Sequence, residues 1–235
     1  RGYYGDVALL AGVYGWNDPA GVLIAQRGWA SGDRQSTLFG GLGRPRLYFY
    51  REIDGRPGYY AGIAWRHHER LELRALRYDN RADPGAGSGD TYAWRTLFSS
   101  VGLRYEPDER WTLIAQALQG QTYVGADADA EEQFAMSFRS WFALLSRQWG
   151  RGRVSLRFDH FSTRQHSGEY GPPSDDAGHA LALAYLYDIA PHWQAVGEWQ
   201  QLRSIWPLRA LVAQPARIDE TQIQLSLRYR FTLQR

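Results

Sequence analysis

The sequence predicts an all-β fold, an antiparallel up-and-down transmembrane β-barrel with about ten strands in these 235 residues. Three observations carry this. Segments of about ten residues alternate apolar and polar, as strands whose successive side chains point to opposite faces must do. The connections between them are short and long by turns. No apolar run approaches the eighteen or so residues of a membrane helix, while Trp, Tyr and Phe number 10, 15 and 9, with 25 Gly and no Cys. That aromatic content suits strands and the interfacial girdles of membrane barrels.

The elements follow in order. GDVALLAGVYGW (5–16) alternates Val7, Leu9, Ala11 and Val13, and NDPAG ends it. After a long irregular segment, GYYAGIAWR (58–66) and RLELRALRYD (70–79) flank HHER as a hairpin. RLELRALRYDN also has the composition of an amphipathic helix, but its place across a four-residue turn favours a strand. Further strands are expected at 93–105, 111–124, 134–149, 154–164, 179–189 and 193–206, before the closing QIQLSLRYRF. HHER, EPDER, GRGR and APH are short; the other connections are long, the layout of short periplasmic turns and long external loops. Trp65, Tyr105, Trp111, Trp149 and Trp193 lie near the short-turn ends, where an aromatic belt belongs.

One strand parity is expected to meet lipid, represented by Leu113, Phe138, Leu156, Leu183, Ile223, Leu225, Leu227, Tyr229 and Phe231. The other carries Glu72, Arg74, Arg104, Arg139, Arg157, Asp159, Glu198, Arg228 and Arg230 and is expected to line a watery lumen, because Arg at the bilayer midplane costs about 2–4 kcal/mol.

The segments WNDPAGVLIAQRGWASGDRQ, PGYY, RYDNRADP, YAWRT and the terminal QLSLRYRF, taken in order over nearly the whole chain, resemble a porin-like family of Gram-negative outer-membrane β-barrels. The resemblance implies residence in the cell outer membrane, contact with its lipid and lipopolysaccharide, and further strands upstream of Arg1. Residues 1–235 would then form one β-barrel domain, the C-terminal portion of a barrel of about sixteen strands. It implies no catalytic residues, and a homo-oligomer, a trimer, by analogy alone. The chain departs from the usual aromatic terminus by running on after Phe231 as TLQR.

The function expected is that of a porin, a channel for passive transport of small hydrophilic solutes with a weak anion preference; the alternative is a non-conducting structural barrel. No enzymatic role, cofactor, metal or nucleic-acid partner is expected. Asp159 and His160 are sequence neighbours and so point to opposite faces, which rules out a triad. His67 and His68 sit in a solvated turn. Asp127, Asp129, Glu131 and Glu132 lack the spacing of a strong calcium loop, and no helix follows Gly85, Gly87 and Gly89 to make a phosphate cradle. All 27 cationic side chains are Arg, and the net charge is only +2. The long segment 17–57 carries Arg27, Arg34, Arg44 and Arg46 among aromatics, and two readings stand open: an inward fold that narrows the pore, or an external loop with an extra hairpin.

Overall fold

The computed structural model describes residues 5–15, 20, 21, 24, 52–88, 91–125, 134–167 and 175–231. Ten of its strands form one antiparallel sheet: β1 (Asp6–Tyr14), β2 (Gly58–His67), β3 (Leu71–Asp79), β6 (Arg95–Tyr105), β7 (Trp111–Val124), β8 (Phe134–Trp149), β9 (Gly152–Ser167), β10 (Ala177–Ala190), β11 (Trp193–Ile205) and β12 (Arg217–Tyr229). The two-residue strands β4 (Gly87–Ser88) and β5 (Thr91–Tyr92) pair separately within the loop after β3. Sheet order follows chain order, so the topology is an up-and-down meander, with β1 and β12 as its edges among the described residues.

Long loops and short turns alternate without exception along the meander. The short turns have local causes. His68 and Glu69 both take positive φ, 49° and 60°, the geometry of a two-residue hairpin loop, and Arg70 N–H closes the turn on His67 O at 3.1 Å. Asp108 Oδ1 accepts from the amides of Arg110 and Trp111 at 2.8 and 3.0 Å and so launches β7. Gly150, at φ 58°, turns β8 into β9.

Most strand ends fall within two residues of expectation, and two depart further. β12 begins at Arg217, inside the segment expected to be loop, and Pro207–Val212 form a 3-10 turn before it. β9 runs to Ser167, three residues past its expected end, because its last residues stay paired with β8, Gln165 opposite Met136 and Ser167 opposite Ala135.

Directly opposed residues share a face, so the registers determine what each face carries. One continuous face bears Val7, Leu9 and Val13; Ile63 and Trp65; Leu71 and Leu73; Val101, Leu103 and Tyr105; Trp111 and Leu113; Trp141, Leu145 and Trp149; Leu156 and Phe158; Leu183 and Tyr185; Trp193 and Trp199; and Ile223, Leu225 and Leu227. Its apolar side chains are open to the surroundings, Leu9 at 82% and Leu225 at 83% exposure. The other face is the inner one and holds most of the buried strand residues, among them Thr122, Phe138, Ser146, Phe161, Ala180 and Ser204.

Candidate functional site

The apolar face has sharp upper and lower limits. At the short-turn end its first outward residues are aromatic on most strands, Tyr229 and Trp193, Tyr187, Trp149, Trp111 and Tyr105, while on β2 Trp65 comes second, after His67. Eight residues further along, the outward positions turn polar: Thr221 on β12, Gln201 on β11, His179 on β10, His160 on β9 and Gln119 on β7. Eight residues of strand span about 27 Å. Arg147 lies inside these limits near the lower one, its guanidinium 4.9 Å from the Trp111 ring and 5.6 Å from that of Trp149.

The limits also climb from strand to strand. The row of opposed residues that starts at Trp65 runs through Leu73, Leu103, Ala115, Ala143, Phe158, Leu181 and Gln201 to Thr221. Trp65 is at the aromatic limit of β2, yet Thr221 is at the polar limit of β12, eight residues from Tyr229. A rise of about 27 Å over eight strand spacings, about 38 Å, is a tilt of about 35°. Projected on the normal, the apolar band is about 22 Å tall, close to the 25 Å belt of an outer-membrane barrel.

The inner face carries paired charges. Glu72 takes Arg66 at 2.8 Å and is also bonded by Arg74; Arg104 meets Glu106 at 2.7 Å; Arg157 holds Asp159 at 2.6 Å while stacking 4.1 Å over Phe142. Arg230, one residue past β12, reaches Asp188 at 3.7 Å, and Gln194 donates to the same carboxylate at 3.0 Å. Glu198 opposes Gln224, and Arg228 opposes Gln194. Arg66, Glu106, Asp188 and Arg153 also belong to this face and escaped the sequence reading. Opposite charges two residues apart, as in Glu72 and Arg74, Arg104 and Glu106, or Arg157 and Asp159, are the signal that could have found such pairs.

Two expected placements are corrected, both on β8. Phe138 was expected outward and stands inward, 3% exposed; Arg139 was expected inward and stands on the apolar-face side, opposite Gln119 and Ser162. Phe134, Met136, Phe142 and Leu144 share the parity of Phe138 and are likewise inward. The reason is that β8 is apolar on both faces. Its even residues build an inner cluster in which Phe134 and Met136 join Trp94 and Val124, while its odd residues continue the outer band through Trp141 and Leu145. Leu113, Leu156, Leu183, Ile223, Leu225, Leu227 and Tyr229 lie on the apolar face, and Phe231 lies beyond β12, exposed.

The segment 17–57 lies largely outside the described residues, as do Asp127, Asp129, Glu131 and Glu132. Of that segment Gly21 is buried, fitting so closely against the hydroxyls of Thr96 and Thr122 that a Cβ there would strike both; Ala20 is half-buried, and Ile24 packs against the Trp94 and Met136 cluster. Those two threonines share an inner-face bond of 2.9 Å. Asp159 and His160 occupy opposite faces, and His68 lies edge-on to His67 at 4.0 Å.

No family model and no curated protein matches the chain. A solved structure with some likeness is the crystal structure of the ferric citrate transporter FecA in the unliganded form, 17% identical, with a TM-score of 0.41. The match covers 77% of this chain and 36% of that one, so this chain spans about a third of FecA's length. The likeness is too loose to transfer a residue role or a substrate.

Proposed function

We propose that the chain forms part of the wall of a β-barrel in the outer membrane of a Gram-negative bacterium, and that the barrel passes small hydrophilic solutes. The observation that carries the membrane assignment is the apolar band of nearly constant height, bounded by aromatics and tilted about 35° to the strand normals. A soluble sandwich has no reason to keep three or four consecutive outward positions apolar on strand after strand and then turn polar along an oblique line. Water belongs on the other face, where the arginines and carboxylates lie.

Solute passage is the finer reading, and the packing of Gly21 and Ile24 on the inner face supports a segment 17–57 that narrows the lumen. Most inner arginines sit on carboxylates, and the field left over comes from residues such as Arg153 and Arg228. The anion preference is therefore weak. The full protein in a planar bilayer should show discrete conductance steps, and deletion of 30–45 should enlarge them; an unchanged step size would remove the constriction.

The inner ion pairs favour a second reading, in which they form a structural network across a filled, non-conducting barrel. Insertion without conductance steps would select it.

A further inference from the structure

We propose that the outward patch formed by Arg139, Arg164 and His166, just above the apolar band, binds the phosphorylated headgroup of an outer-leaflet glycolipid whose acyl chains lie on Trp141, Leu145 and Leu156. The proposal rests on the membrane reading above and is independent of solute passage. Across β8 and β9, Arg139 opposes Ser162 and Ser137 opposes Arg164, so the two arginines are diagonal neighbours with Cα atoms about 7–8 Å apart. Both are exposed, and both lie on the outward face. His166 Nε2 is 2.8 Å from Ser137 Oγ, which places the imidazole beside them, and Gln119 opposes Arg139 from β7.

Four other outward arginines are already engaged, and Arg217 stands at the start of β12 with no second unengaged arginine beside it. Arg95 holds Asp79 at 3.0 Å, Arg203 holds Asp219 at 2.9 Å, Arg77 donates to Ser99 at 2.9 Å and Arg147 covers two indole rings. Arg139 and Arg164 differ: among the described residues neither makes an ion pair, and the nearby Asp175 carboxylate accepts the Gln165 amide at 2.8 Å. Two like charges set side by side on a strand pair repel. A phosphate between them turns that repulsion into attraction, and the guanidinium fork matches phosphate oxygens bidentately.

Position and width choose a lipid headgroup over a free anion. Directly below the arginines, Trp141, Leu145 and Leu156 offer an open apolar surface, so an amphiphile has both of its ends accommodated. From Gln119 on β7 to His179 on β10 the polar strip crosses three strand spacings, about 14 Å, too wide for one phosphate. Its Ser, Gln and His side chains suit the hydroxyls and amides of a sugar that carries more than one phosphate.

The test uses the full chain in neutral-detergent micelles, titrated with bisphosphorylated lipid A or with its dephosphorylated form, bound lipid being read by native mass spectrometry. Wild type should bind the bisphosphorylated form about tenfold more tightly, and R139A/R164A should lose about tenfold, while R110A at the opposite end retains full affinity. Should the double variant not fold, R139A and R164A singly should each lose about threefold. Equal binding of the two lipids, or unchanged affinity in the arginine variants, overturns the proposal. Quenching of tryptophan fluorescence by brominated acyl chains in neutral bilayers reports insertion separately. Quenching without phosphate-dependent binding removes the patch and keeps the membrane reading; its absence removes both.

Discussion

Phe138 on β8 stands directly opposite Gly120 on β7, and its ring occupies the space a side chain at 120 would need. A Cβ on Gly120 would come within 2.6 Å of Phe138 Cζ and closer still to the carbonyl oxygen of Leu97. The ring and the glycine pack together on the inner wall, where Phe138 is buried.

Gly120→Ala is therefore expected to lower stability by about 1–3 kcal/mol, because backbone on one side and ring on the other leave no route for relief. Gly197→Ala, whose Cβ would meet Leu225 Cδ2 at 3.5 Å, should change it little. Denaturant unfolding of lipid-reconstituted protein compares the two; equal losses would contradict the packing.

Leu225→Arg should cost about 2–4 kcal/mol, since Leu225 lies inside the apolar band at 83% exposure. Gln224→Arg, one residue away on the inner face opposite Glu198, should be tolerated. Folding equilibria in vesicles measure both, and a reversal of their order would exchange the two faces.

The chain has no Cys, so single cysteines can be read without background. A spin label at Leu145→Cys should be accessible to oxygen dissolved in lipid, and one at Leu144→Cys to a water-soluble nickel complex. The same measurement at Arg139→Cys and Phe138→Cys checks the corrected parity of β8 near its upper end, where the Arg139 label should report the polar limit.

Glu72 stands between Arg66 and Arg74. Removing its charge with Glu72→Gln leaves two inner arginines without their carboxylate, and the reversal potential in a salt gradient should move towards anion selectivity. An unmoved potential would argue that the ions do not pass this wall.

Much of the fold was legible beforehand because each strand repeats one instruction. Leu225 and Leu227 against Gln224 and Arg228, or Leu156 and Phe158 against Arg157 and Asp159, state which residues share a face, and HHER or GRGR state where the chain turns. β8 resisted because FAMSFRSWFALLSRQW is apolar on both parities, so alternation could not say which side was outward. Its neighbours decided: the register with β7 places Leu145 beside Leu113 and sends Phe138 to Gly120.

The polar strip of Arg139, Arg164, His160 and His179 was invisible for a related reason. Its members come from three successive strands, and only the register between them brings these residues level. The sequence by itself determined the period, the turns and so the all-β meander, because those depend on residues within a strand or hairpin. The tertiary structure alone decided the height and slope of the apolar band, the inward side of β8 and the company each arginine keeps, because those depend on register between strands, which no single strand encodes.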